Sequence, residues 1–319
     1  MCCPNCKGNT VIKYGKQCSK QMYYCKQCKK KFSKAVMKHK SYSPFLITSA
    51  ISYYNLGNTL EQSVKLVNRQ FKVKVSKSAL HYWVKQSLDI CTYHKIRSDI
   101  RKNYKKNIIC EYGFEHSGLT YNFMYHLPKV DFLCQKYPSV GVYLKEMKSR
   151  CPSEIFQNSH RCSQIKNNIK IKTQGISNSA CKLAEFALTA CTKNNKRHTT
   201  VEKFMLINDS STIACEVPIW FWDTTKNIGL CGHIDILQIR RGRIYILDYK
   251  PNAHKESVTN VASQLYNYAI GLCFRTKVPL SMIRCAWFDK NIYYEFNPVE
   301  SQLIYNKKDR KITTKVYGE

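Results

Sequence analysis

The chain has 319 residues, 52 of them Lys or Arg against 21 Asp or Glu, for a formal net charge of +31, and 44% of its residues are apolar. This length supports two or three folded units, and the apolar fraction excludes a chain disordered by composition. The charge argues against a free metabolic enzyme and for a protein that neutralises the phosphates of DNA, with RNA as the second candidate.

In chain order, the first signal is Cys3, Cys6, Cys25 and Cys28. They form two C-x2-C pairs with eighteen residues between them. That spacing lets two knuckles present four thiolates to one tetrahedral Zn²⁺, and four thiolates leave no open position for catalysis, so the predicted zinc is structural. Cys2 and Cys18 are left over, and either can replace a ligand. Tyr14-Gly15 and Tyr23-Tyr24 are expected to supply the aromatic and turn residues of a small hairpin. The chain has 17 cysteines, an odd number, without a secretory signal, which favours reduced thiols over a disulfide framework. No apolar run of 18 residues occurs either, so an intracellular protein is expected, cytoplasmic or nucleoid-associated, with no membrane partner.

Ser43-Pro44 then opens a helical pattern carrying Leu46, Ile47, Ala50 and Ile51, which Gly57 ends. Thr59 with Gln62 is a capping box for a second helix, and Ser76 caps a third. The third helix is predicted to bury Ala79, Leu80, Trp83 and Val84 and to turn Lys77, Ser78, His81, Tyr82 and Lys85 outward, as a helix entering a major groove requires. Residues 1 to about 90 thus resemble the N-terminal part of insertion-sequence transposases. The likeness rests on the CPxC start, the YxCxxCxKxF knuckle from Tyr23 to Phe32, and a helix-turn-helix ending in a Trp-containing helix.

Residues 91–175 offer no chemistry to the eye. A basic helical run from Lys95 to Lys106 leads to the strand-like NIICEYGF, a helix through Tyr143 and Met147, and a lysine-rich stretch. ISNSACKLAEFALTAC beyond it is predicted to be a buried helix.

The segment GHIDILQIRRGRIYILDYKP is the most informative. Two apolar strands flank Arg241-Gly242, a two-residue hairpin loop. With that loop, facing residues have numbers that sum to 483, so Asp235 lies opposite Asp248 and His233 opposite Lys250, all on one face. Two carboxylates this close repel unless a cation stands between them, and oxygen ligands suit Mg²⁺ or Mn²⁺. Lys250 beside them is placed to hold a water or to offset phosphate charge. Downstream, Gln264 and Tyr268 stand at i, i+4 on a helix, able to reach one phosphate or base.

Gly232 to Asp235, then Asp248-Tyr249-Lys250, then Gln264 to Tyr268 reproduce in order the G-x-x-D, [DE]-x-K and Q-x-x-x-Y of the PD-(D/E)XK nucleases of RecB type, which this region resembles. The resemblance covers roughly residues 176–300. It implies an α/β restriction-endonuclease-like core with a central mixed sheet and Mg²⁺- or Mn²⁺-dependent hydrolysis of DNA. Asp235, Asp248 and the carbonyl of Tyr249 would ligate metal, Lys250 would position the attacking water, and Gln264 and Tyr268 would contact substrate. It also implies an upstream helical His, matched by His198 with Glu202 one turn later, and an acidic residue before the hairpin, matched by Glu216. Cys273 and Cys285 are too few and too far apart for the iron-sulfur cluster of some members, so none is expected.

The expected organisation is a zinc ribbon over 1–40, an all-α helix-turn-helix over 41–90, a basic lead-in over 91–175 and a nuclease domain over 176–319. The alternative is a DNA-binding regulator or transposase-like mobile-element factor that keeps a nuclease fold without cutting.

Overall fold

A computed structural model of the chain describes residues 3, 6, 8–17, 20–33, 42–101, 108–116, 118–167, 169–191 and 193–303. Cys2 and Cys18 lie outside the described residues. Two compact units result, residues 1–44 and 45–319.

In the first unit, β1 (Val11–Gln17), β2 (Lys20–Cys25) and β3 (Lys31–Ser33) form an antiparallel sheet in that order. Gly15 has φ +68° and sits where the β1–β2 register shifts between Lys13 and Lys16. It therefore serves a bulge inside β1 and not the hairpin turn predicted for it, because a left-handed residue absorbs the extra position in the ladder. Cys3 Sγ lies 3.5 Å from Cys28 Sγ, and Cys6 Sγ lies 3.6 Å from Cys25 Sγ. All four sulfurs fall within 4.8 Å of one another, close enough to hold one zinc ion. Tyr23 stacks on Phe32, and Tyr14 meets Tyr24, in this small sheet.

Apart from Pro44, the first residue of α1, the second unit opens with α1 (Pro44–Asn55), α2 (Leu60–Phe71), α3 (Lys77–Gln86) and α4 (His94–Arg101). The capping box forms as the sequence indicates: Gln62 N–H donates to Thr59 Oγ1 at 3.1 Å and Thr59 N–H to Gln62 Oε1 at 2.8 Å. Ser76 caps α3 by accepting from Ala79 N–H. On α3, Leu80 and Trp83 are buried while Lys77, Ser78, His81, Tyr82 and Lys85 are exposed. Residues 102–107, the end of the basic helical run, lie outside the described residues.

There follow β4 (Ile109–His116), β5 (Leu119–His126), α5 (Leu127–Leu133), α6 (Pro138–Arg150), α7 (Ser153–Asn158), β6 (His160–Arg161), β7 (Ile169–Lys170), α8 (Ser179–Leu188) and α9 (Arg197–Asn208). The chain then runs through β8 (Thr212–Asp223), β9 (Ile228–Arg240), β10 (Arg243–Tyr249), α10 (Val258–Thr276), β11 (Ile283–Phe288), β12 (Tyr293–Phe296) and β13 (Gln302–Leu303). Among the described residues, β4 to β6 and β8 to β12 make a mixed eight-stranded sheet in the order β12-β11-β10-β9-β8-β5-β4, with β6 against β9. β8, β9 and β10 form an antiparallel meander, and α10 carries the chain over to β11, which is parallel to β10. The central strands are buried almost throughout, which is why they read as continuous apolar runs.

The boundaries expected at 90 and 175 do not separate compact units. β4 and β5, from the unreadable stretch, extend the same sheet by pairing on β8 through Met124 opposite Cys215 and Tyr125 opposite Ala214. The helices α1–α4 are also fastened to the C-terminal end of α9. Asn55 Nδ2 donates to Asn208 Oδ1 at 2.8 Å and Thr92 Oγ1 to Asp209 Oδ1 at 3.0 Å, polar side-chain contacts that hydropathy patterns cannot reveal.

Candidate active site

The site begins with the β9–β10 turn. Arg241 and Gly242 have φ +50° and +68°, so both central residues are left-handed and the two-residue loop matches the twist of the strands. The observed pairs, Arg243 with Arg240 through Leu247 with Ile236, all sum to 483, the register that the two-residue loop requires. Asp248 and Asp235 come one step beyond the last of these pairs. There Tyr249 N–H donates to Asp235 Oδ2 at 3.2 Å, a backbone bond that orients the carboxylate.

His198 and Glu202, one turn apart on α9, complete the cluster from above the sheet. His198 Nδ1 lies 2.8 Å from Glu202 Oε1, and its Nε2 lies 3.3 Å from Asp235 Oδ2. The other ring nitrogen is thus directed by Glu202, as an oriented imidazole requires. The Tyr249 ring meets His198 edge-on at 5.4 Å, closing one side. One ligand atom each from His198, Asp235 and Asp248 lie within 4.8 Å of one another, and so do those of His198, Glu202 and Glu216.

Glu216 reaches this cluster by an unusual backbone. Its φ is +51° inside β8, a conformation that side chains other than Gly, Asn or Asp seldom adopt in a strand. Alternation would send Cys215 and Glu216 to opposite faces, yet Cys215 Sγ donates to Glu202 O at 3.4 Å and Glu216 stands by His198, so consecutive residues meet the same helix. The left-handed residue makes this possible.

On the sheet's other flank, Gln264 and Tyr268 project from α10, and Gln264 Nε2 donates to the Tyr268 hydroxyl at 3.0 Å. Tyr268 shares a cavity of about 120 Å³ with Asp235, Glu216 and Gly232. Lys250 Nζ lies 2.9 Å from Asp248 Oδ2, and Lys250 N–H donates to Phe288 O, continuing the parallel pairing with β11.

His233 is not opposite Lys250. β10 leaves β9 after Leu247 to follow β11, and β6 takes its place, with Arg161 opposite Cys231. His233 is instead buried against His116, Nε2 to Nδ1 at 2.8 Å. His81, Tyr82 and Lys85 on α3 belong neither to these metal-ligand groups nor to the lining of that cavity.

Comparison with protein-family models, curated proteins and solved structures finds no match for this chain.

The electrostatics follow from four carboxylates sharing one buried place. Burial, then the charge of Asp248, holds the Asp235 carboxyl well above the usual carboxylate range. Burial, then Glu202, pushes Glu216 up to about 8. His198 moves up as well: burial opposes its charge, but the Glu202 hydrogen bond and the neighbouring acids outweigh it. Lys250 is likewise raised, the carboxylates of Asp248 and Asp235 prevailing over burial. Asp248 is buried, and among the described residues its carboxylate meets Lys250 and the carboxyl of Asp235 and accepts no other hydrogen bond. The buried carboxylate of Asp248, close to that of Asp235 and to the His198 imidazole, offers a hard divalent cation three ligand atoms within 4.8 Å of one another, so Asp235, Asp248 and His198 could hold a metal ion.

The cavity wall also contains residues that no motif indicated: Arg161 from β6, Tyr121 from β5 and His116 from β4. Of the β4–β5 hairpin that brings Tyr121 and His116, the sequence showed only the strand-like NIICEYGF of β4.

Proposed function

We propose that this chain is a divalent-metal-dependent nuclease that hydrolyses DNA phosphodiester bonds, with a core of the restriction-endonuclease kind and the RecB-type arrangement of motifs. The observation that carries the proposal is the convergence of His198, Asp235 and Asp248 within 4.8 Å, with Lys250 at 2.9 Å from Asp248. His198 comes from α9, and Asp235 and the Asp248–Lys250 segment come from the two strands of one hairpin and its end, which is consistent with the order of the RecB-type motifs.

The metal, bound by Asp235, Asp248, His198 and the Tyr249 carbonyl, would supply charge neutralisation at the phosphoryl oxygens and an acidified water. The side chains divide the remaining work. Glu202 orients His198 through its Nδ1. The Tyr249 amide fixes Asp235. Lys250, held charged by Asp248, orients the attacking water and offsets charge on the phosphate as the bond to the leaving oxygen breaks. Gln264 and Tyr268, tied to each other, present a donor to the strand being cut. In this reading the exposed face of α3, with His81, Tyr82 and Lys85, and the zinc-binding unit bind DNA and retain it near the site.

The test is cleavage of circular and linear DNA by the purified chain with Mg²⁺ or Mn²⁺, beside Asp248→Ala and Lys250→Ala, with DNA binding measured in parallel. Wild-type cutting that both variants lose while still binding supports hydrolysis at these residues. Equal binding by all three and cutting by none across metals and substrates rejects it in favour of a DNA-binding factor.

A further inference from the structure

The cavity beside the carboxylates has a wall that catalysis at the metal does not use. Two stacked ring pairs form it: Tyr121 lies on His233 with centroids 3.7 Å apart and planes at 7°, and His116 lies on Phe156 at 3.7 Å and 12°. The His116–His233 hydrogen bond at 2.8 Å joins the pairs into one block. Four separate elements, β4, β5, α7 and β9, contribute one ring each. His116, Phe156 and His233 are buried, whereas Tyr121 keeps part of its surface exposed and forms the rim of the cavity.

Arg161 and Ser163 stand at the same cavity. No ion pair among the described residues involves the Arg161 guanidinium, although two carboxylates, Asp235 and Glu216, line the same cavity. A guanidinium left without a carboxylate partner beside such acids is placed for an incoming anion, and a planar fork suits phosphate. The volume, about 120 Å³, is on the scale of one flat ring, since a cavity of roughly 150 Å³ takes benzene.

We propose that this cavity is a subsite for one unpaired nucleotide next to the scissile phosphate, its base against the Tyr121 block and its phosphate on Arg161 and Ser163. The distance along β9 fits: His233, under Tyr121, and Asp235, at the metal, are two residues apart, roughly 7 Å at the rise of a strand, about the span of one nucleotide step. A base inside a duplex is stacked on its neighbours and cannot enter such a cavity, so the strand being cut is single, frayed or opened at this point. Sequence preference is then slight, because a stacking wall accepts any base.

The inference deepens the nuclease reading and rests on it for the word scissile, so its test has a binding arm that needs no cutting. In Ca²⁺, binding of a fluorescent single-stranded 12-mer and of a blunt duplex is measured for wild type, Tyr121→Leu, Tyr121→Phe, Arg161→Ala and Lys85→Ala. The expected result is that Tyr121→Leu and Arg161→Ala each weaken single-strand binding roughly tenfold, that Tyr121→Phe keeps it, and that Lys85→Ala weakens only the duplex. Equal losses on both probes, or none on the single strand, overturn the subsite. In the cutting arm with Mn²⁺, wild type is expected to prefer an unpaired flap to continuous duplex, and Tyr121→Leu to lose that preference; an unchanged preference also overturns the subsite. Discrimination in binding with no cutting of any substrate keeps the subsite and overturns the hydrolytic reading alone.

Discussion

The Tyr268 ring occupies the space above Gly232: a Cβ on that glycine would lie 2.6 Å from Tyr268 Cε1. The glycine of G-x-x-D and the tyrosine of Q-x-x-x-Y are therefore one packing unit, since any side chain at 232 displaces the ring and the Gln264 bonded to it. Gly232→Ala is expected to cost about 1–3 kcal/mol by overpacking and, if the proposed nuclease reading holds, to slow cleavage of linear DNA roughly tenfold or more, read by urea unfolding and by cleavage rates. Wild-type activity in a fully folded variant would show that Tyr268 need not sit there.

Glu216 combines a left-handed backbone with a half-buried carboxylate beside Glu202. Both features are costly for folding. Glu216→Gly is expected to be at least as stable as wild type, while Glu216→Val, unable to adopt positive φ, is expected to lose about 1–3 kcal/mol. If Glu216 serves the cation, the rise in Tm caused by Mn²⁺ shrinks in Glu216→Gly and vanishes in Asp248→Asn. Differential scanning fluorimetry with and without Mn²⁺ reads both effects.

Lys129 is fully buried, and its ammonium donates to the carbonyls of Leu206 at 2.5 Å, Thr212 at 3.1 Å, and Asp209. One nitrogen thus meets three carbonyls that run from the last turn of α9, the helix that carries His198, to the first residue of β8. Lys129→Met leaves those carbonyls unpaired and is expected to destabilise the chain by about 3 kcal/mol or more. Hydrogen exchange should locate the loosening at residues 206–212.

Burial holds His233 down to about 3 and His116 down to about 4. Around the pair stand Glu115, which opposes the shift at His116, Arg161, which adds to it at His233, Cys151 and Tyr121. Both folded values lie below the ordinary histidine range, so the unfolded chain binds more protons below about pH 6.5. The stability these neutral rings permit is present above that pH and is lost as pH falls toward 4. His116→Gln is expected to flatten the slope of unfolding free energy over pH 4 to 6.5; an identical slope would show that the pair is not held neutral.

One zinc per chain is expected by elemental analysis, and Cys25→Ser is expected to abolish it, because three thiolates hold the ion far less tightly than four. Retention of full stoichiometry would mean that another thiol completes the site.

Much of this was legible in the amino-acid order because it is local. Capping by Thr59 and Ser76 needs only neighbours three residues away, and the Asp235–Asp248 register follows from a loop of two residues whose backbone is stereotyped. The i, i+4 relation of His198 to Glu202 and of Gln264 to Tyr268 is helix geometry alone. The cysteine spacing likewise places four sulfurs together.

Other features depended on contacts between segments that are remote in sequence. Nothing in HSGLT shows that the β4–β5 hairpin joins the sheet at β8 and lays Tyr121 over His233, because the pairing partner lies some ninety residues on. The departure of β10 from β9 after Leu247, which parted His233 from Lys250, goes with the pairing of β10 on β11 and of β6 on β9, both partners remote from the hairpin in sequence. The left-handed turn at Glu216 likewise has no signature, since glutamate adopts it only where packing on both sides leaves no alternative. The sequence by itself determined the local geometry and the chemistry of each donor; only the tertiary structure decided which donors meet and what lines the space beside them, because those outcomes are set by packing free energy summed over the whole sheet.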